Sequence, residues 1–145
     1  MRPTVGGPSV CESEATAGTK PAVLRFSVRD YECDLQGIVN NAAYLNYLEH
    51  ARHEFLKSRG LNFSELSARG IDLVVAKLEL EYKRPLRPGD AFDVHTTTAR
   101  PSKVRFVFYQ RILCGEALVL TAKVTGTAIN KQGRPIRALE LDVLG

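Results

Sequence analysis

A single helical pattern set among strands constrains the fold of this chain more than any other feature. Tyr44, Leu48, Ala51 and Phe55 recur at i, i+4, i+7 and i+11 and so share one apolar face. Asn40 and Asn41 suit a helix N-terminus, and Gly60 suits a left-handed stop, which carries the helix to Arg59. At 1.5 Å per residue such a helix is roughly 30 Å long, about the width of a small domain. Ahead of it, over residues 23–31, Leu24, Phe26 and Val28 alternate with Val23, Arg25, Ser27 and Arg29 at the period of a half-buried strand. Behind it, residues 71–82, 91–99, 104–113 and 117–129 read as four further strands, with Ser64 as a cap in the short connection between. Arg87-Pro88-Gly89-Asp90, Arg100-Pro101-Ser102 and Cys114-Gly115 supply turns, and such short links favour antiparallel neighbours. The expected architecture is α+β: a curved, mainly antiparallel sheet that buries one face against one long central helix. Its edges stay open, so a homodimer or homotetramer is expected.

With 145 residues, 44% of them hydrophobic, the chain holds one core and no second full domain. Residues 1–21 are rich in Gly, Pro, Ser, Thr and Ala and poor in large apolar side chains, which predicts a flexible tail before a domain over 22–145. No run approaches the roughly 18 apolar residues of a membrane span, and no signal-peptide core opens the chain, so a cytoplasmic location is expected. Cys11, Cys33 and Cys114 have neither the number nor the spacing of a disulfide framework or a zinc site. The net charge of +4 suits a polyanion such as a nucleotide-bearing cofactor or an acidic carrier protein. Zinc-finger patterns and aromatic-basic strands are absent from the sequence, and nucleic acid is not an expected partner.

Nucleophile-elbow, phosphate-loop and dinucleotide fingerprints are also missing, which removes the common serine-hydrolase and nucleotide readings. His50 and His53 share a helix face but lack further ligands, so no metal site is expected. Chemistry concentrates at Asp34, in a Gly-containing loop just ahead of the helix start. The first N–H groups of a helix have no intrahelical acceptor and carry partial positive charge, so they can hold a carbonyl oxygen as it becomes an oxyanion. Asp34 could then attack or direct water. The competing reading is that Asp34 caps its own turn, as Asp often does.

The stretch over residues 29–52, R-D-Y-E-C-D-L-Q-G-I-V-N-N-A-A-Y-L-N-Y-L-E-H-A-R, resembles the signature of hotdog-fold acyl thioesterases of the 4-hydroxybenzoyl-CoA thioesterase type. Its V-N-N-A core and the K-R-P-L-R-P-G-D run at residues 83–90 are similar to the branch holding bacterial long-chain acyl-CoA and plant plastid acyl-carrier-protein thioesterases. The resemblance spans about residues 23–137. It implies hydrolysis of an acyl-CoA or acyl-carrier-protein thioester, without cofactor. Asp34 falls on the family's catalytic carboxylate and Asn41 on its thioester-polarising amide. The 4-hydroxybenzoyl-CoA enzyme has tyrosine where Asn41 stands, so aromatic substrates do not carry over. By the same resemblance Arg100, Ser102 and Lys103 would meet coenzyme A phosphates, and Tyr44, Tyr47 and Leu48 would line an acyl tunnel. Glu49 is the second carboxylate candidate, with an ion pair to Arg52 or His53 as its structural alternative. The competing functional classes are a non-hydrolytic acyl-CoA-binding protein and, third, a dehydratase, which would need a histidine that this loop lacks.

Overall fold

The computed structural model describes residues 21–144, so the expected tail lies outside the described residues except for Pro21. Strand β1 (Ala22–Ser27) leads through a 3-10 turn (Asp30–Glu32) to helix α1 (Asn41–Ser58) and the short helix α2 (Phe63–Ala68). Strands β2 (Asp72–Tyr82), β3 (Ala91–Ala99), β4 (Arg105–Cys114) and β5 (Ala117–Ile129) follow, and a second 3-10 segment (Leu139–Leu144) ends the described chain. The five strands form one antiparallel sheet in the order β1-β3-β4-β5-β2. This is the hotdog arrangement, α+β, with α1 packed on one face of the sheet.

Helix α1 begins where the sequence places it because Asn40 is extended and its Oδ1 accepts the Ala43 amide at 3.0 Å. It ends in a paired C-terminal motif: Gly60, at φ +81°, donates to Lys57 O, and Leu61 donates to Leu56 O. The buried face of α1 includes Tyr44, Leu48, Ala51 and Phe55. Its N-terminal half packs with Phe92, Val94, Ile112 and Leu120, and its C-terminal half with Phe106, Phe108 and Val124. The segment after β5 completes the second half by burying Leu141 and Leu144, and Thr98 Oγ1 donates to Leu144 O.

Three expectations need correction. Strand β1 stops at Ser27, because the return bond to Val28 O comes from Gly89 N and not from Asp90, whose amide turns to Arg87 O. The cap of α2 is Asn62, not Ser64: its Oδ1 accepts the amides of Ser64 and Glu65. Finally, β2 does not pair with β3 despite the short link between them. It lies at the far edge against β5, and residues 83–90 cross the end of the sheet with Leu86 wholly buried in the core cluster at the start of α1. Burial of Leu86 outweighs the local preference for a hairpin. Two register shifts, between Val75 and Lys77 and between Ile112 and Leu113, mark bulges where the ladder can bend.

Candidate active site

Asp34 sits at the first position of a tight reversal. Its amide donates to Ile38 O at 2.9 Å, Gly37 N donates to Asp34 O at 3.0 Å, and Cys33 bridges to Val39. Gly37 takes φ +76°, the left-handed value that closes such a turn without a Cβ penalty. One carboxylate oxygen of Asp34 accepts the Gln36 amide at 2.9 Å. The turn-capping role foreseen for Asp34 therefore exists, and the second oxygen stays available on an exposed side chain. Leu35, at the tip of the turn, is fully exposed.

The loop is sewn to the start of α1. Both the amide and the side-chain Nδ2 of Asn40 donate to Glu32 O, at 3.0 and 3.1 Å. Asn40 Oδ1 engages Ala43, so the unsatisfied amides of the first helical turn are those of Asn41 and Ala42, which have no carbonyl one turn earlier. A carboxylate and two polarising N–H groups are thus carried by the two arms of one braced loop. Polarisation of a carbonyl by such amides and attack from a nearby carboxylate or directed water are within its chemical reach.

The other foreseen residues are placed as follows. Tyr44, Tyr47 and Leu48 are buried on the sheet-facing side of α1. The β3–β4 turn lies at the opposite end of α1 from Asp34: Thr98 pairs with Phe108, which packs against Phe55, about four turns along the helix from Asn41. Within one chain, Arg100, Ser102 and Lys103 are therefore not brought to Asp34. Arg100 is also committed locally, donating to Lys103 O and Arg105 O and facing Asp142, while Ser102 Oγ accepts the Arg105 amide. Glu49 is exposed and lies 3.9 Å from His53 Nε2, whereas Arg52 turns inward to Gln110. Burial and the neighbouring carboxylates Asp30 and Asp34 push the Cys33 thiol up, away from thiolate chemistry. No group of three metal-ligating side chains occurs among the described residues. A cavity of about 620 Å³ opens between β1 and α1, lined by Phe26, Tyr47 and His50 among others, and neither Asp34 nor Asn41 is in its wall.

Residues 28–143 match the family model described as the thioesterase-like superfamily. The chain belongs to that superfamily. Among curated relatives, an acyl-acyl carrier protein thioesterase of Arabidopsis thaliana, ATL2, is 41% identical over 116 residues, which are 79% of this chain and 62% of the relative. The chain thus spans less than two thirds of that relative's length. The acyl-CoA thioester hydrolase YbgC of Escherichia coli is 30% identical over 84% of this chain and 93% of its own. A solved structure from Aquifex aeolicus superposes with TM-score 0.81 at 32% identity, covering 86% of this chain and all of the other.

Sequence reasoning missed Glu32, Asn40 and Leu86 as the residues that hold this loop. Asn40 was legible only as a cap. Leu86 had a signal in the K-R-P-L-R-P-G-D run, where one apolar side chain stands among cations and prolines.

Proposed function

We propose that this chain hydrolyses acyl thioesters carried by coenzyme A or an acyl carrier protein, with Asp34 as nucleophile or general base and the Asn41 amide as the oxyanion donor. The observation that supports the reading is the braced loop, which leads from Asp34 into the open first turn of α1 in a member of the thioesterase-like superfamily. In the nucleophilic route, Asp34 adds to the thioester carbonyl and expels thiolate, which takes a proton. Water then opens the resulting mixed anhydride to free acid and restored carboxylate. In the base route, Asp34 takes a proton from the water that attacks. The acyl chain would run along the helix face bearing Tyr44, Tyr47 and Leu48. Both carriers present negative charge, which suits a chain of net charge +4. The free thiols of Cys33 and Cys114 fit the reducing cytoplasm as its location.

The reading includes a homodimer or homotetramer. Among the described residues the outer edge of β2 is unpaired, and the strand exposes Val75, Leu78 and Tyr82 on its way. Because α1 starts near the Tyr82 end of β2, antiparallel pairing of two β2 edges about a twofold axis would reverse the second helix. The β3–β4 turn of one copy, with Arg100, Ser102 and Lys103, would then lie towards the loop of the other. The Lys103 ammonium and the O–H of Ser102, whose oxygen only accepts within the turn, would meet a phosphate there. A Leu78→Lys variant is expected to lower the mass seen by light scattering to that of a smaller species. An unchanged mass would place the interface elsewhere.

The deciding experiment is thiol release from a panel of acyl-CoA and acyl-carrier thioesters by the native chain, Asp34→Ala, Asp34→Asn and Glu49→Gln. Loss of turnover by at least about 100-fold in both folded Asp34 variants supports the reading. Survival of activity there, with loss in Glu49→Gln, moves catalysis to the helix. No turnover of any thioester by the native chain favours a non-hydrolytic acyl-CoA-binding protein, in which the Gln36 contact is the whole role of Asp34.

A further inference from the structure

We propose that the hydroxyl groups of Tyr44 and Tyr47 are positioning elements, each fixing one end of the loop that carries Asp34. The inference rests on Asp34 as the catalytic carboxylate. The two tyrosines stand at i and i+3 on α1 with their rings edge-on at 6.2 Å, and both are almost wholly buried. Buried phenols need partners, and both find them in the loop's supports.

At the leading end, Tyr47 Oη donates to Glu32 Oε1 at 2.7 Å. The same carboxylate accepts the Arg29 amide at 2.9 Å and faces the Arg29 guanidinium at 3.3 Å, so Glu32 is held from three directions. Its carbonyl in turn receives both donors of Asn40. Two residues further on is Asp34. At the trailing end, the Leu86 amide donates to Tyr44 Oη at 3.1 Å, while Leu86 O accepts the Val39 amide at 2.9 Å. Val39 is the residue across the bridge from Cys33. The leading end of the reversal thus adjoins Glu32, which bonds Tyr47, and the trailing end reaches Tyr44 in two hydrogen bonds through Leu86. The hydroxyls in turn sit on a helix locked by aromatic packing of Tyr47 on Phe26 and Phe92, and of Tyr44 on Tyr82.

The consequence is mechanical. The Gln36 amide holds one Asp34 carboxylate oxygen relative to the turn, but the tip of the turn makes no packing contact strong enough to bury Leu35. The direction of the whole turn, and of the carboxylate with it, is therefore set from its ends. A displacement of about 1 Å in a reacting group can cost on the order of 100-fold in rate, which is the scale against which the two hydroxyls act.

The test uses the full chain and the thioester that it turns over fastest. Tyr44→Phe and Tyr47→Phe keep the rings and remove only the hydroxyls; each is combined with Asp34→Asn, and Glu32→Ala is made beside them. The expected result for Tyr47→Phe is a fall in kcat of about tenfold or more with KM within about twofold, and faster hydrogen exchange at the Gln36 and Gly37 amides. Tyr44→Phe behaves alike. Glu32→Ala loses at least as much as Tyr47→Phe, since it also removes the Arg29 contacts, and adding Tyr47→Phe to it costs no more, because their shared bond is already gone. In the Asp34→Asn background the hydroxyls make less than about twofold difference. Native kcat in both tyrosine variants, or a loss that multiplies undiminished onto Asp34→Asn, overturns the inference. Native turnover by Asp34→Asn overturns the catalytic reading instead. Exchange at Gln36 and Gly37 still reports on the brace by itself, and unchanged exchange in both variants overturns it whatever Asp34 does.

Discussion

Replacing Gln110 by leucine removes the centre of a polar network inside the sheet–helix layer. Gln110 has no exposed surface; its Nε2 donates to Leu48 O at 3.0 Å and to Thr96 Oγ1 at 3.1 Å, and its Oε1 accepts Arg52 Nη1 at 3.0 Å. Among the described residues no carboxylate lies within ion-pair distance of the Arg52 guanidinium. Burial also pushes its pKa down, a sign that the charge is poorly solvated there. A hydrogen bond to a charged group contributes about 1.5–3 kcal/mol, and the two neutral bonds about 1 kcal/mol each. Leucine recovers part of that by burying apolar surface, and Arg52 can partly extend towards solvent, so the net loss is about 2–3 kcal/mol. For a domain of this size that lowers Tm by roughly 10 °C. The decisive comparison is the pair Arg52→Met with Gln110→Leu, in which no buried charge is left stranded and only the neutral bonds to Leu48 O and Thr96 Oγ1 remain lost. It should recover the part of the loss that belongs to Arg52, because exchanging both partners of a bond for apolar groups can be nearly neutral. Equilibrium guanidinium unfolding reads both values as shifts in midpoint at constant slope. A Gln110→Leu loss below about 0.5 kcal/mol, or a double variant no better than the single one, would refute the claim that Arg52 depends on Gln110.

Two further outcomes follow from packing and titration. Gly126→Ala should destabilise by about 1–3 kcal/mol in the same unfolding assay, because its Cβ would stand 2.5 Å from the Phe106 ring and 2.8 Å from Val74 O, a backbone atom that cannot swing aside. His53 and His95 both have lowered pKa values, chiefly through burial, so the folded state holds their protons less well than the unfolded chain does. Stability from this source is complete above the unfolded value near 6.5 and is lost as pH falls through the lower folded values. Tm should therefore drop between about pH 7 and pH 5, and the His53→Gln, His95→Gln pair should flatten that slope; an equal slope in both proteins would assign it to other groups.

The helix, its caps and four of the five strand assignments were legible because each depends on neighbours within a turn or a pleat. Tyr44, Leu48, Ala51 and Phe55 need only the 3.6 period to be found, and Asn40 and Gly60 need only the geometry of helix ends. The Asp34 loop could be located in the same way, since a carboxylate before a capped helix is a local arrangement. Its alternative role was legible too, and the bond to Gln36 N is present.

What the chain of letters could not hold was the placement of β2 and the use made of buried polar atoms. Residues 83–90 look like a hairpin link, yet they span the sheet because Leu86 finds burial beneath α1, a gain visible only once the helix and sheet are together. Tyr44 and Tyr47 looked like apolar lining, but their hydroxyls go to Leu86 N and to Glu32, 42 and 15 residues away. Gln110, an ordinary polar residue in a strand, becomes the partner of an arginine 58 positions earlier. Sequence by itself determined the elements and the loop that carries Asp34, because periodicity and capping are written over a few residues. Tertiary structure alone decided which strands form the edges of the sheet and which hydroxyls hold the loop, because a buried donor must find an acceptor in space wherever the chain supplies one.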